Sequence, residues 1–139
     1  MISFNYQNDF TEIDSHTYRE WLSTLVRSER ESIRKLDYVF CDDDYLLRIN
    51  QQFLDHDTFT DIITFDYSSE GMIEGEIYIS TDRVKENAGT YDVDLFNELR
   101  RVMAHGLLHL MGYGDKTEAE KKIMREKESE KILMFHVKQ

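Results

Sequence analysis

Two histidines and an aspartate concentrate the chemistry of this chain: His105 and His109 stand four residues apart, and Asp115 follows six residues later. Four residues is close to one helical turn, so on a helix both imidazoles project from the same face. Two imidazoles so placed can grip one divalent ion. Gly112 and Gly114 come directly afterwards, and glycine readily takes the backbone conformation that closes a helix. The chain can then turn back and bring Asp115 towards the same ion. Three protein ligands leave a zinc ion a fourth position for water, the arrangement of hydrolytic sites. The residue after the first histidine is Gly106. His-Glu-x-x-His metalloproteases carry their general base at that place, so a peptidase mechanism has no evident base here.

The rest of the chain must hold these residues in place. Asp94 caps a helix running to Met111. Leu99, Met103, Gly106, Leu107 and Leu110 fall on what reads as its core side, and Glu98, Arg101, His105, Leu108 and His109 on the other. Upstream, Ile2 to Tyr6 alternates like a half-buried strand. A helix begins near Ser15 or Thr17, where Thr17-x-x-Glu20 fits a capping box. Leu36 to Cys41 reads as a second strand, and Asp42 to Asp44 cap a helix carrying Leu46, Ile49 and Phe53. Ile62 to Tyr67 and Met72 to Ser80 are strands around a turn. Thr81 caps a short helix to about Ala88, interrupted near Gly89. A last helix starts at Thr117, whose Thr117-x-x-Glu120 is again a capping box, and runs to about Phe135. Ile123, Met124, Ile132 and Leu133 would hold it to the body, while its charged middle would be a solvated face. The order β-α-β-α-β-β-α-α-α predicts an α+β fold. It is a single domain over 1–139, a small mixed sheet packed against helices, with the metal site on a central helix.

Composition narrows the function classes. The chain has 139 residues, no proline, one cysteine and a formal net charge of −11. No apolar run approaches a membrane span, and no signal peptide is visible at the start. One cysteine excludes an internal disulfide, which fits a reducing cytoplasm, and Cys41 reads as a small buried hydrophobe. The acidic balance argues against a protein that coats itself in nucleic acid. A bound dication and a local basic patch can still focus a site on an acidic body. Among the remaining candidates, Asp61 sits at a loop-to-strand junction, able to orient a histidine or act as a base. Arg101 lies one turn before His105, able to meet a phosphate. His56 is a substitute third ligand, whereas His136 at the end of the chain is not a ligand. Asn50 is suited to holding a loop through side-chain hydrogen bonds. There is no Ser-His-Asp or Cys-His arrangement and no phosphate-cradling glycine loop.

The run His105-Gly106-Leu107-Leu108-His109-Leu110-Met111-Gly112-Tyr113-Gly114-Asp115 resembles the signature of the YbeY family, metal-dependent endoribonucleases of ribosomal RNA maturation. The family pattern is His-Gly-x-Leu-His-Leu-x-Gly-Tyr-Asp-His, with three zinc-binding histidines. The first two map onto His105 and His109, and the third onto Asp115, a competent zinc ligand that also suits harder ions. Asn50-Gln51-Gln52-Phe53-Leu54 with Thr60 to Phe65 is similar to a second family segment, with Leu54 where the family has arginine. Gly75-Glu76-Ile77-Tyr78-Ile79 is similar to a third. The resemblance implies a zinc-dependent single-strand endoribonuclease that works late in small-subunit rRNA 3′-end maturation and in ribosome quality control. Its ligands would be His105, His109 and Asp115, with zinc or another divalent metal as cofactor. Its partners would be rRNA and the ribosome or a ribosomal protein, with no DNA and no membrane. The alternatives are another zinc hydrolase of the metallopeptidase type, and a non-catalytic ribosome-assembly factor with a structural metal.

Overall fold

The computed structural model describes residues 1–10, 13–54 and 60–135; His56 and His136 lie outside them, as does the side chain of Leu54. The elements follow the expected order: β1 (Ile2–Tyr6), α1 (Ser15–Ser28), β2 (Ser32–Cys41), α2 (Asp43–Leu54), β3 (Ile62–Asp66), β4 (Met72–Ser80), α3 (Thr81–Tyr91), α4 (Leu95–Leu110) and α5 (Glu118–Ile132). The sheet runs β1-β2-β4-β3. β1, β2 and β4 are parallel, and β3 pairs antiparallel at the edge, with Ile62 opposite Ile79. This is the mixed sheet of an α+β fold. No described helix is long and apolar enough to cross a membrane.

Side-chain alternation gives the sheet two faces. Leu36, Tyr38, Phe40, Ile73, Ile77 and Ile79 join the main core with Trp21, Leu22 and Leu25 of α1 and Leu99, Met103 and Leu107 of α4. The opposite face carries a smaller cluster of Cys41, Leu46 and Ile63, backed by Tyr45, Ile49, Phe65 and Tyr78, which seats α2. Cys41 is fully buried, and burial, reinforced by the charges of Asp42, Asp82 and Asp43, pushes its thiol up to about 12. It is the inert core residue its position implied.

Local chemistry sets the helix ends, in places differently from the expectation. α1 is capped by Asp14, whose carboxylate accepts from the Thr17 N–H and from the Thr17 hydroxyl, so Thr17 is a first-turn residue and not the cap. β2 starts at Ser32, ahead of the apolar run, because Ser32 and Ile33 pair with Met72 and Ile73 across the sheet. Ser80, not Thr81, caps α3. That helix continues through Gly89 to Tyr91 and ends where Asp92 turns left-handed, at φ 54°, its N–H closing on Ala88 and Gly89. α5 has the full Thr117/Glu120 capping box. Its seat differs from the expected one: Met124 is buried, but Ile123 and Leu133 are exposed, and Glu128 and Lys131 are buried instead.

α4 is the central helix. Asp94 caps it, accepting from the N–H groups of Phe96 and Asn97. It lies on β3 and β4 and is flanked by α3 and α5. The division into a core face and a site face is therefore incomplete. Glu98 and Leu108, both assigned to the open face, are buried. From Glu98 onward only Arg100, Arg101, His105 and His109 keep partial exposure.

Candidate metal centre and cleft

His105 and His109 sit on the last two turns of α4, with ring centroids 4.5 Å apart and their planes nearly perpendicular, at 83°. The helix ends at Met111, and Gly112 turns the chain at φ +97°, a conformation that glycine accepts without a Cβ clash. Gly114 is not left-handed, so one glycine makes the turn. The returning chain brings Asp115 Oδ2 to 3.2 Å from His105 Nε2 and 3.3 Å from His109 Nε2, and the two Nε2 atoms are 2.9 Å apart.

This triangle fits a divalent ion. Ligand bonds of about 2.0–2.1 Å in a tetrahedron place donor atoms about 3.3 Å from one another, close to the three edges found. Both imidazoles are also held from behind. His105 Nδ1 lies 2.6 Å from Glu128 Oε2, and His109 Nδ1 lies 2.8 Å from the Tyr113 carbonyl. An N–H donated to each acceptor leaves both Nε2 lone pairs for the ion. Asp115 is 40% exposed and the two histidines about a quarter, at 23% and 26%. The centre is thus open on one side, unlike a closed four-ligand structural site. His105, His109 and Asp115 are brought together as a group able to hold a metal.

His105 and Asp115 of the triad line a cleft of about 710 Å³, which Asp61 and Arg101 also line. Asp61 is half-buried, and burial raises its carboxyl above the ordinary range, partly offset by the nearby His105 and assisted by Glu128. Burial opposes a charge on His105, but the hydrogen bond and charge of Glu128, with Asp115 and Asp61, outweigh it and raise its pKa. Arg101 donates from Nη1 to Glu128 Oε1 at 3.1 Å, and its Nε is 3.9 Å from Glu98 Oε1. Glu128 therefore binds His105 with one oxygen and Arg101 with the other.

The place next to His105 is closed to a general base. A Cβ built on Gly106 would stand 2.7 Å from Ile62 Cδ1 and 3.0 Å from Ile77 Cγ2, so this position faces the sheet. The glutamate of a His-Glu-x-x-His protease has no room there.

The model of the endoribonuclease YbeY family matches residues 3–136. The chain belongs to the YbeY endoribonuclease family. An Endoribonuclease YbeY of Flavobacterium psychrophilum is 53% identical over all of this chain and 99% of its own length. One from Flavobacterium johnsoniae is 48% identical over the full length of both. A solution structure of a Thermotoga maritima protein superposes with a TM-score of 0.70, at 28% identity, over 97% of this chain and 89% of that one.

Glu128, which lies in the charged run of α5, is not among the residues that motif and spacing single out. A signal was present: Met124, Glu128 and Ile132 recur every four residues, so Glu128 shares a stripe with apolar neighbours. The carbonyl of Tyr113 had no signal at all, since any residue carries one. The Tyr113 hydroxyl also ties the turn to α1 by donating to Glu29.

Proposed function

We propose that this chain is a divalent-metal-dependent endoribonuclease that cuts single-stranded ribosomal RNA in the cytoplasm, late in maturation of the small-subunit 3′ end and in ribosome quality control. Zinc is the proposed resident ion, the ribosome or a ribosomal protein the proposed partner, and residues 1–139 the proposed single hydrolase domain. The observation that carries this reading is the three converging ligand atoms, open to a cleft, in a chain of the YbeY endoribonuclease family.

In this reading His105, His109 and Asp115 hold the metal. A dication bound there would acidify a water or polarise a phosphoryl oxygen. Glu128 fixes the His105 ring and, with Glu98, fixes the Arg101 guanidinium. Arg101 is proposed to offer its remaining Nη2 donors to the phosphate being cut. Asp61 is proposed to take a proton from the attacking group, a role suited to a carboxyl whose pKa is raised by burial. The carboxylates crowding the cleft keep the apo site acidic, so a phosphate is received well only once the dication is present.

The test is cleavage of a small-subunit rRNA 3′ precursor by the wild type and by His109→Ala, purified in parallel, with metal content measured by mass spectrometry on both. The expected result is cutting and about one metal per chain in the wild type, with both lost in the variant. Equal cutting by both, or a fully metallated wild type that cuts nothing, overturns the reading.

A further inference from the structure

We propose that Tyr91 and Arg125 form a nucleotide subsite in the cleft that His105 and Asp115 line: Tyr91 stacks a base of an unpaired RNA strand and Arg125 takes a phosphate of that strand. The proposal rests on the endoribonuclease reading for the identity of the strand.

Charge within the cleft singles out Arg125. The lining carries Asp61, Glu98, Asp115 and Glu128, against Arg101 and Arg125. Arg101 is committed to Glu128 and Glu98 through Nη1 and Nε. Arg125 is exposed and, among the described residues, makes no hydrogen bond or ion pair. It also lines a shallower depression along α5 with Lys121 and Lys122, four and three residues back and hence on the same helix face, together with Glu118, which pairs with Lys121 at 3.7 Å, and Glu126. On a chain of net charge −11, Arg125 is thus an exposed cation beside a face where lysines and glutamates alternate. Phosphate contacts are the main source of affinity for a nucleic acid strand, and Arg125 is the cation of the cleft lining left to make one.

Tyr91 supplies the second half. It is the last residue of α3, where the left-handed Asp92 that follows ends the helix, and the residue is 66% exposed. Val93, 38% exposed, lines the same cleft. A large aromatic ring left uncovered on the wall of a polar cleft matches the stacking platforms of single-strand binders. The cleft volume of about 710 Å³ is within the range of small-ligand sites, about 300–1,000 Å³. Stacking on an aromatic face requires a base out of its helix, so the subsite selects unpaired strands and tolerates any base.

The test is fluorescence anisotropy of a short fluorescein-labelled single-stranded RNA on the zinc-loaded protein, read before cleavage sets in, with cleavage followed by gel on the same samples. Tyr91→Ala is expected to raise Kd at least about fivefold, and Tyr91→Phe to keep it within about twofold. Arg125→Ala should lower the slope of log affinity against log salt by about 0.7, the share of one single-strand phosphate contact. Arg27→Ala, which removes the same charge from α1 outside the cleft, should leave the slope as it is. If the wild type binds and cuts while Tyr91→Ala and Arg125→Ala bind with unchanged Kd and slope, the subsite is wrong and the endoribonuclease reading stands. If the wild type binds without cutting and the variants bind more weakly, the subsite stands and the cleavage reading falls. If the wild type does not bind the RNA, both fall.

Discussion

The residue that fixes the geometry of His105 is a glutamate 23 positions downstream, on another helix. Glu128 is 7% exposed and carries two tasks, holding His105 Nδ1 and the Arg101 guanidinium. A buried carboxylate in this place orients the ring and raises its basicity towards a metal. Glu128→Ala is expected to weaken zinc binding by roughly 10- to 100-fold, and Glu128→Gln by less, because an amide oxygen can still accept from Nδ1. Competition with a chromophoric chelator measures both; an alanine variant with wild-type affinity would show that the helix alone aligns the ring. The two histidines were legible in the sequence because their relation is local: four residues on one helix fix it. Asp115 was legible once a turn was granted to the glycines before it. Glu128 was not, because its partners are far away in sequence and a glutamate among lysines and glutamates carries the look of a solvated face.

At the scale of elements, the metal helix is positioned by its contact with the sheet, and Gly106 is a place where the two pack closely. A methyl group there would press on Ile62 Cδ1 at 2.7 Å and Ile77 Cγ2 at 3.0 Å. The first is the movable tip of a side chain, and the second is a branch fixed close to the strand. Alanine is the better helix former by about 1 kcal/mol, but overpacking costs about 1–3 kcal/mol, so Gly106→Ala should be destabilised by about 1 kcal/mol. Gly106→Glu would carry a carboxylate into the same apolar seam and should lose more than about 4 kcal/mol. Urea unfolding followed by the fluorescence of Trp21, the sole tryptophan and 2% exposed, gives both numbers. An alanine variant more stable than the wild type would mean that the seam yields freely. Element order and strand alternation were readable in the sequence, since apolar period reports them directly. Boundaries were less so. Thr17 and Thr81 looked like caps, but an acceptor just ahead of each, Asp14 and Ser80, takes that place. Gly89 looked like an interruption, but the helix passes through it and ends only at the left-handed Asp92.

Across the whole molecule, the two ends of the chain are tied behind the metal turn by one carboxylate. Glu29, at the C-cap of α1, accepts from Lys131 Nζ at 2.7 Å, from Lys127 Nζ at 3.0 Å and from the Tyr113 hydroxyl. Lys131 is almost wholly buried, so Glu29 is its inward counter-charge, with the more exposed Glu130 on the other side at 2.7 Å. Burial pushes the Glu29 carboxyl up, but the three donors outweigh it and bring it from 4.5 down to about 2. A carboxyl depressed in the folded state stabilises the fold when ionised. Its contribution is complete above the unfolded value of 4.5 and fades as pH falls towards about 2. A shift of this size corresponds to about 3 kcal/mol. Glu29→Gln should therefore lose about 3 kcal/mol at pH 7, and its deficit relative to the wild type should shrink steadily below pH 4.5, the unfolded value. The comparison is made variant against wild type at each pH, so the other titrating groups of this acidic chain cancel to first order. A deficit that stays constant from pH 7 to pH 3 would mean that Glu29 acts through packing and not through its charge. Because Tyr113 presents its carbonyl to His109 and its hydroxyl to Glu29, this clamp also sets the back wall of the metal centre. The fold and the site are thus held by the same cluster around Glu29, drawn from helices at opposite ends of the chain and from the metal turn.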